Sequence, residues 1–434
     1  MTWAKGRLWP PTTVGRLRFI VLASATLTTA LKLAVAATTF GTNDVHHWIE
    51  FADAVRRYGP VGIYGQELRG LYNHPPLSGW LLVVINWLVD LRLAEVPFLI
   101  RVPASVADIV TAALMFELVR QRRSPREAAT AGLFVAFSPV LFVVSGFHGN
   151  TDPLFVMLSL LSVYLLAVRR WAAASGVAIA TALSVKLVPV VLIPALLVAV
   201  ARGGLRRFTA FAVGATSVFL VLWGPVVLTR WPEFRAQVLS YQGIPVREWG
   251  IVQFATWAHL PNALIDDIVG EGRFVVLALC ALIPLLIVWR RPAALAPAAG
   301  LGLVLFLLLS TAFGTQYLSW AVAGAYLVST WAATAYNLVA GAMVVVVYDR
   351  WNQAYPWNWS EAKAQRLVFG EFVLMVITWA ALALVAVLGM RLLLGRDAAG
   401  PDGGNGQARD GASGIREGGG ANARVPLGRW IRRL

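Results

Sequence analysis

Runs of apolar residues recur along this chain of 434 residues, and each run, about 17 to 25 residues long, can cross a bilayer as an α-helix. The hydrophobic fraction of 58% agrees with this pattern, because an ordinary soluble domain has an apolar share of roughly 45 to 50%. A transmembrane β-barrel would show shorter segments of alternating polarity. The sequence therefore predicts an all-α polytopic membrane protein with about 12 transmembrane helices.

The basic residues predict the orientation of the chain. The formal net charge is +15, and the arginines fall in short loops between predicted spans, a pattern that marks the cytoplasmic side. The loops are 121–126, 169–170, 201–207 and 290–291. The charge therefore reports membrane topology, both termini are predicted to be cytoplasmic, and no nucleic-acid partner is expected.

The two ends of the chain differ from the apolar body. Residues 1–17 are basic, and the apolar run after them is too long for a cleavable signal peptide. Residues 395–434 are rich in Gly, Ala, Arg and Asp, which predicts a disordered basic cytoplasmic tail. We therefore expect one transmembrane domain over residues 1–394. Its single cysteine, Cys280, cannot form an internal disulfide.

The loop charges also place the individual spans. A full crossing by residues 77–91 would turn the basic loop 121–126 outward, so this short stretch is predicted to insert only partly. Long outer loops are expected at 229–272 and, rich in aromatic residues, at 348–363. Spans are predicted over 18–39, 98–119, 128–146, 153–168, a helical hairpin at 171–201, 208–228, 273–289, 293–312, two within 317–348, and 368–394.

The first predicted outer loop, residues 40–76, is longer and more polar than a simple connection between helices, which runs about 2 to 8 residues. Trp48, Phe51, Val55 and Tyr58 repeat at helical spacing with charges between them, which predicts a juxtamembrane helix on the membrane surface. The pair at 75–76 is Pro-Pro, and proline is favoured in the first turn of a helix. A second helix is therefore predicted to start there.

Polar side chains that could carry chemistry gather in the turns predicted on the outer face. A carboxylate there can take a proton from a hydroxyl, and cationic side chains nearby can stabilise a phosphate leaving group. With Asp44 as the base, the set predicts transfer of a sugar from a lipid phosphate to an acceptor alcohol. The candidates for substrate binding are His46, His47, Tyr72, His74, Arg101, His148, Asp152, Lys186, Gln316 and Tyr317.

Several candidates have a structural alternative. Asp44 could cap the helix that follows it, and Asp152, directly before Pro153, also occupies a capping position. Lys186 could extend its ammonium to the lipid headgroups. Arg101 could bind phosphate or anchor its own helix.

No metal site and no cofactor are predicted. Adjacent residues point in different directions on a helix, so His46 and His47 do not form a pair of metal ligands. The adjacent Asp266 and Asp267 are typical of a solvated loop and are not assigned to a site.

Five short motifs resemble those of GT-C glycosyltransferases, which are multi-span enzymes that use polyprenyl-phosphate sugars at the outer face of the membrane. Their order and spacing match the predicted spans over roughly residues 18 to 350. The motifs are GTNDVHHW at 41–48, YNHPPLSGW at 72–80, SGFHGNTDPLFV at 145–156, SVKLVPVVLIP at 184–194 and FGTQYLSW at 313–320. The last two are similar to elements of bacterial polyprenol-phosphate mannosyltransferases.

The resemblance implies an inverting transfer with Asp44 as the base, and it favours mannose as the sugar. The implied partners are a polyprenyl-phosphate sugar donor, a glycan, lipid or protein acceptor, and membrane lipid. Two departures from the family pattern concern the first loop. Asp44 follows Asn43 instead of a second acidic residue, and His74 rather than a lysine precedes Pro75. Phosphate binding at that point is either absent or the task of a histidine.

Other functions stay open at this point. A glucosyltransferase or arabinosyltransferase would use the same fold. A transporter or lipid flippase would require charged residues at mid-membrane and discontinuous helices, whereas nearly all acidic residues here are predicted at helix ends or in loops. A non-catalytic membrane partner would tolerate the loss of Asp44.

Overall fold

The computed structural model describes residues 13–68, 72–243, 248–352, 361–363 and 365–394. These residues are almost entirely helical, which confirms the all-α prediction. The helices are α1 (Thr13–Thr38), α2 (Asn43–Gly62), α3 (Pro76–Asp90), α4 (Val96–Leu99), α5 (Arg101–Arg120), α6 (Pro125–Ala136), α7 (Pro139–Val143), α8 (Asp152–Ala167), α9 (Ala172–Val185), α10 (Ile193–Ala201), α11 (Leu205–Val218), α12 (Gly224–Phe234), α13 (Gly250–Trp257), α14 (Asn262–Gly270), α15 (Gly272–Arg290), α16 (Leu295–Leu308), α17 (Leu318–Val328), α18 (Thr330–Asn352) and α19 (Phe369–Leu394).

Short irregular segments join or interrupt these helices. Turns of π-helix cover Val144–His148, Phe219–Trp223 and Arg235–Leu239, and 3₁₀ turns cover Ile63–Gly65, Val188–Leu192, Pro292–Ala294 and Thr315–Tyr317. Two strands of two residues each, β1 (Gly41–Thr42) and β2 (Glu361–Ala362), pair in parallel, with Gly41 opposite Glu361. The φ of +108° at Gly41 and the contact that a Cβ would make with the Phe147 carbonyl oxygen, at 2.8 Å, both require glycine there.

The described helices confirm a multi-pass membrane protein. In the described part of the chain, seven helical segments are long and apolar enough to cross a bilayer. Five further apolar helices are shorter, and the total of about 12 spans stays a prediction. The seven segments are Thr13–Thr38, Val96–Arg120, Pro125–His148, Leu205–Leu239, Gly272–Arg290, Thr330–Asn352 and Phe369–Arg391.

One predicted boundary is wrong. The segment expected to leave the membrane at residue 228 continues as a helix to Leu239, because Pro232 kinks the helix at Arg230 instead of ending it. The rest of the predicted outer loop 229–272 contains the short helices α13 and α14. Two helices lie where two spans were predicted within 317–348: α18 is long enough to cross a bilayer, whereas α17 has 11 residues and its crossing stays a prediction.

The first polar segment is helical, as predicted, but its apolar face packs on protein instead of on lipid. Trp48, Phe51 and Val55 of α2 are buried together with Leu82 and Ile85 of α3 in a small core of their own. The Asn86 side chain on α3 also donates a hydrogen bond to the Ala52 carbonyl oxygen at 2.8 Å. This packing fixes α2, which carries Asp44 in its first turn.

A buried ion pair lies inside the bundle, between residues of two predicted spans. Lys32 of α1 contacts Asp108 of α5 with an Nζ–Oδ2 distance of 2.6 Å, and both side chains are nearly inaccessible to solvent. Ser145, in the π-helical turn, donates a hydrogen bond to the same carboxylate oxygen at 2.6 Å. Asp108 is therefore an exception to the prediction that nearly all acidic residues lie at helix ends or in loops. Opposite charge and a hydrogen bond can compensate such a buried carboxylate.

Some predictions fall outside the described residues. They are the basic start of the chain at 1–12, most of the aromatic loop at 353–360, and the tail at 395–434. The division into a transmembrane domain and a tail stays a prediction.

Candidate active site

A cavity of about 780 Å³ opens beside the first turn of α2. One part of its lining is polar and contains six of the predicted residues. These are Asp44, His47, His74, Lys186, Gln316 and Tyr317. Another part is apolar and comes from α9, the π-helical turn before α12, α15 and α16; it includes Leu183, Phe219, Val276, Leu277 and Phe306. The cavity thus joins a charged end to a long apolar wall.

Asp44 directs its carboxylate into the site and does not cap its helix. The cap is Thr42, whose hydroxyl accepts a hydrogen bond from the Asp44 backbone N–H. The Asp44 carboxylate contacts His148, with an Oδ2–Nε2 distance of 3.0 Å, and its side chain is 36% exposed. Burial raises the pKa of this carboxyl, but the charge and hydrogen bond of His148, with smaller effects of His47 and Lys186, leave the pKa below its ordinary value. Asp44 is therefore ionised at neutral pH and can accept a proton.

His148 is held from both sides of its ring. Because a carboxylate only accepts hydrogen bonds, the Nε2–H group donates to Asp44. On the other side, Nδ1 lies 2.5 Å from the Tyr348 hydroxyl, which in turn lies 2.8 Å from the Thr315 hydroxyl. The left-handed backbone of Gly149 ends the π-helical turn that carries His148. With both nitrogens engaged, His148 orients Asp44 and is not available to a ligand.

Lys186 and Asp152 form the second charged pair of the site. The Nζ–Oδ1 distance is 2.5 Å, and the Trp320 indole N–H donates to the other carboxylate oxygen at 2.7 Å. Asp152 is completely buried, while the Lys186 side chain is 22% exposed and lies over the rings of Tyr317 and Trp320 at 4.9 and 4.8 Å. Asp152 therefore serves as the counter-ion that holds Lys186 at the cavity wall.

His74 lines the cavity as a neutral group. Its ring packs on Trp48 with the ring centroids 4.5 Å apart. The pKa of His74 is lowered to about 3, mainly by burial. The charge of Lys186 also lowers this pKa, whereas the charge of Asp44 raises it. His74 can thus form hydrogen bonds with a phosphate at neutral pH, but it contributes no positive charge.

Five predicted residues lie outside the cavity lining. Two of them, His148 and Asp152, are described above, and the other three are His46, Tyr72 and Arg101. His46 packs against Phe40, with the ring centroids 4.5 Å apart. Tyr72 is buried in the small core of α2 and α3. Arg101 is completely buried, and its guanidinium donates to the carbonyl oxygens of Pro97, Thr39 and Phe40 at 2.7 to 2.8 Å. Of its two open alternatives, the geometry favours the anchor, since Arg101 ties the start of α5 to the chain segment before Asp44.

Two functional candidates, Arg273 and Tyr348, were not predicted from the sequence. Arg273, in the first turn of α15, lines the cavity, and one of its terminal nitrogens donates to the Tyr241 carbonyl oxygen at 3.0 Å. Its position, an arginine at the end of a predicted apolar span, could have indicated a candidate for binding phosphate. Tyr348 was assigned to a loop and lies in α18 instead, and no local signal connects it to His148.

In the described part of the chain, no group of three or more His, Cys, Asp and Glu side chains is arranged as metal ligands. The absence of a metal requirement stays a prediction.

The comparison with known proteins agrees with this architecture. A family model for dolichyl-phosphate-mannose-protein mannosyltransferase matches residues 73–228. The fold is similar to that of ArnT from Cupriavidus metallidurans in its apo state, with a TM-score of 0.50 and 16% sequence identity over 86% of this chain and 77% of that chain. No curated protein sequence matches this chain significantly.

The family match over residues 73–228 and the similarity of fold support the resemblance to GT-C glycosyltransferases drawn from the five motifs.

Proposed function

We propose that this protein is an inverting glycosyltransferase of the membrane, which moves a hexose from a polyprenyl-phosphate donor to an acceptor hydroxyl at the outer face. The observation that carries the proposal is the composition of one cavity. An ionised carboxylate, Asp44, and a cation, Lys186, face the same space, and a long apolar wall adjoins them. A base, a group that neutralises phosphate and a surface for a prenyl chain are what this reaction requires.

In the proposed reaction, the acceptor hydroxyl gives its proton to Asp44 while its oxygen attacks the anomeric carbon of the sugar. The new carbon–oxygen bond forms as the bond to the phosphate oxygen breaks, and the lipid phosphate leaves with that electron pair. Lys186 and Arg273 stabilise the charge that grows on the phosphate. His148 keeps the Asp44 carboxylate in position through its hydrogen bond at 3.0 Å.

Mannose is the favoured sugar. The family model that matches residues 73–228 is named for transfer from dolichyl-phosphate mannose to protein, and the later motifs are similar to those of bacterial mannosyltransferases. Glucose and arabinose donors are the alternatives within the same fold. The acceptor belongs to one of three classes: a glycan, a lipid or a protein.

Transport or lipid flipping is the second candidate function, and the buried pair of Lys32 and Asp108 is the observation that favours it. However, the two charges compensate each other inside the bundle, and neither residue lines the cavity beside Asp44. This placement supports a structural role for the pair, and the enzyme is the better-supported function.

The test measures sugar transfer in membranes that contain the wild-type protein, Asp44→Asn or Asp53→Asn, each supplied with radiolabelled polyprenyl-phosphate mannose. Asp53 is the matched control, because it is an exposed carboxylate on the same helix. We expect labelled product with the wild type and Asp53→Asn and none with Asp44→Asn. Equal transfer by all three proteins would exclude Asp44 as the base and shift attention to Asp152.

If no protein transfers mannose, the same membranes are supplied with polyprenyl-phosphate glucose and arabinose. Transfer of one of these sugars would correct the donor and keep the mechanism. Movement of the intact donor across the membrane without any transfer would support the flippase instead. Full function of the Asp44→Asn protein in cells would indicate a non-catalytic partner.

A further inference from the structure

A second cavity, of about 660 Å³, lies at the other end of the bundle. Its lining includes Arg18 of α1, Arg120 of α5 and Tyr164 of α8. The opposite ends of these helices lie near the candidate active site. The end of α1 leads to Asp44, α5 starts with Arg101, and α8 starts with Asp152. Along α5, the 19 residue steps from Arg101 to Arg120 span about 28 Å at 1.5 Å per residue, so this cavity is separate from the candidate active site.

The cavity carries an excess of positive charge. Its charged lining residues are three arginines, Arg18, Arg120 and Arg169, and one glutamate, Glu117. The two oxygens of Glu117 are already engaged, one by Arg18 at 2.6 Å and the other by Arg120 at 2.7 Å. The single carboxylate therefore leaves a formal charge of +2 among the lining residues.

Two arginines still have capacity for a ligand. The Nε atom of Arg120 is buried and has no hydrogen-bond partner within the residues that the structure describes. Arg169 is exposed, and its guanidinium lies over the Trp171 ring, 4.5 Å from the centroid. Stacking on an aromatic face orients the planar guanidinium while its N–H groups stay open to an anion.

The other lining residues are apolar or aromatic: Leu22, Ala113, Val168, Tyr164 and Trp171. Planar guanidinium groups match the oxygens of a phosphate, and apolar side chains beside them suit a hydrocarbon chain. The arginine loops predict that this end of the bundle is cytoplasmic, where basic pockets between membrane helices bind anionic lipid headgroups.

We propose that this second cavity is a binding site for a phosphate group, carried either by the headgroup of an anionic phospholipid or by a small free phosphate compound. Arg120 and Arg169 contact the phosphate, and Glu117 holds Arg18 and Arg120 in place. The site is independent of the proposed sugar transfer, because its residues lie at the far end of α1, α5 and α8.

The experiment uses the purified full-length protein in a neutral detergent. Native mass spectrometry measures the retention of added phosphatidylglycerol and phosphatidylcholine, and thermal unfolding measures the effect of inorganic phosphate and pyrophosphate. The variants are Arg169→Gln, whose exposed position should leave folding intact, and the double variant Arg120→Gln/Arg169→Gln. Arg202→Gln is the matched control, because Arg202 also lies over a tryptophan, Trp289, but outside this cavity.

We expect the wild type and Arg202→Gln to retain phosphatidylglycerol in preference to phosphatidylcholine. Each lost arginine should weaken phosphatidylglycerol binding roughly fivefold. If only the binding of phosphatidylglycerol depends on the two arginines, the ligand is a lipid headgroup. If only inorganic phosphate or pyrophosphate stabilises the wild type, and Arg169→Gln removes that stabilisation, the ligand is a free phosphate compound. The proposal is overturned if Arg169→Gln and the folded double variant bind every probe as the wild type does, or if Arg202→Gln weakens binding equally.

Discussion

The ion pair between Lys32 and Asp108 should be one of the most sensitive points in the structure. We predict that Lys32→Met strongly destabilises the protein, because it leaves the Asp108 carboxylate buried without its opposite charge. Asp108 is almost inaccessible, and the remaining contact is the hydrogen bond from Ser145 at 2.6 Å. One neutral hydrogen bond does not compensate a charge that is buried away from solvent.

The expected magnitude follows from this burial. Removing one partner of a buried ion pair costs about 3–5 kcal/mol, mostly because the other charge is left uncompensated. Lys32→Met and Asp108→Asn should each approach this value. The double variant has no buried charge and should lose much less than the sum of the two single losses.

The assay is a double-mutant cycle on the free energy of unfolding, measured with the purified protein in detergent. Arg56 and Asp90 provide the control cycle, since this ion pair joins α2 and α3 with 42% and 58% of the side chains exposed. An exposed pair contributes about 0–1 kcal/mol. If each single substitution at Lys32 or Asp108 costs under about 1 kcal/mol and the losses add, the buried pair does not stabilise the bundle as argued.

Three further predictions concern the candidate active site. Tyr348→Phe removes the hydroxyl beside His148 and should lower the rate of sugar transfer roughly two- to tenfold. The control Tyr58→Phe, at an exposed position on α2, should not change this rate. If Tyr348→Phe and the wild type transfer sugar at the same rate, the Tyr348 contact does not contribute to transfer. Burial lowers the pKa of His74 from 6.5 to about 3, so the unfolded chain binds the proton first and the folded protein loses stability as the pH falls through this range. Unfolding measured against pH should be less pH-dependent in His74→Gln than in the wild type, and parallel curves would contradict this. Transfer should persist after treatment with EDTA, and a loss that Mg²⁺ or Mn²⁺ restores would show that a metal is needed.

Much of the first polar segment could be predicted from the sequence. The spacing of Trp48, Phe51 and Val55 indicated α2, and Pro76 marked the start of α3, because helical periodicity and turn preferences are local properties. The same pattern could not show where the apolar face packs. An apolar face suits lipid and protein equally, and the contact with Leu82 and Ile85 of α3 appears only in the folded structure.

The helix boundaries show the same division. Hydropathy located the long spans, since about 20 apolar residues are needed to cross a bilayer wherever they occur. It failed at residue 228, where the span was predicted to end, because the helix continues past a kink near Pro232 to Leu239. A proline removes one backbone hydrogen bond, and the neighbouring turns decide whether the helix continues beyond it.

The sequence by itself determined the class of protein and the polar turns that could meet at one end of the bundle. Only the tertiary structure decided which side chains in those turns touch. Asp44 meets His148, 104 residues away, and His148 meets Tyr348 after another 200. Lys32 contacts Asp108, which is 76 residues away in the sequence. These contacts depend on how the helices pack against one another, and that packing is set jointly by side chains from several helices, so no local pattern reveals it.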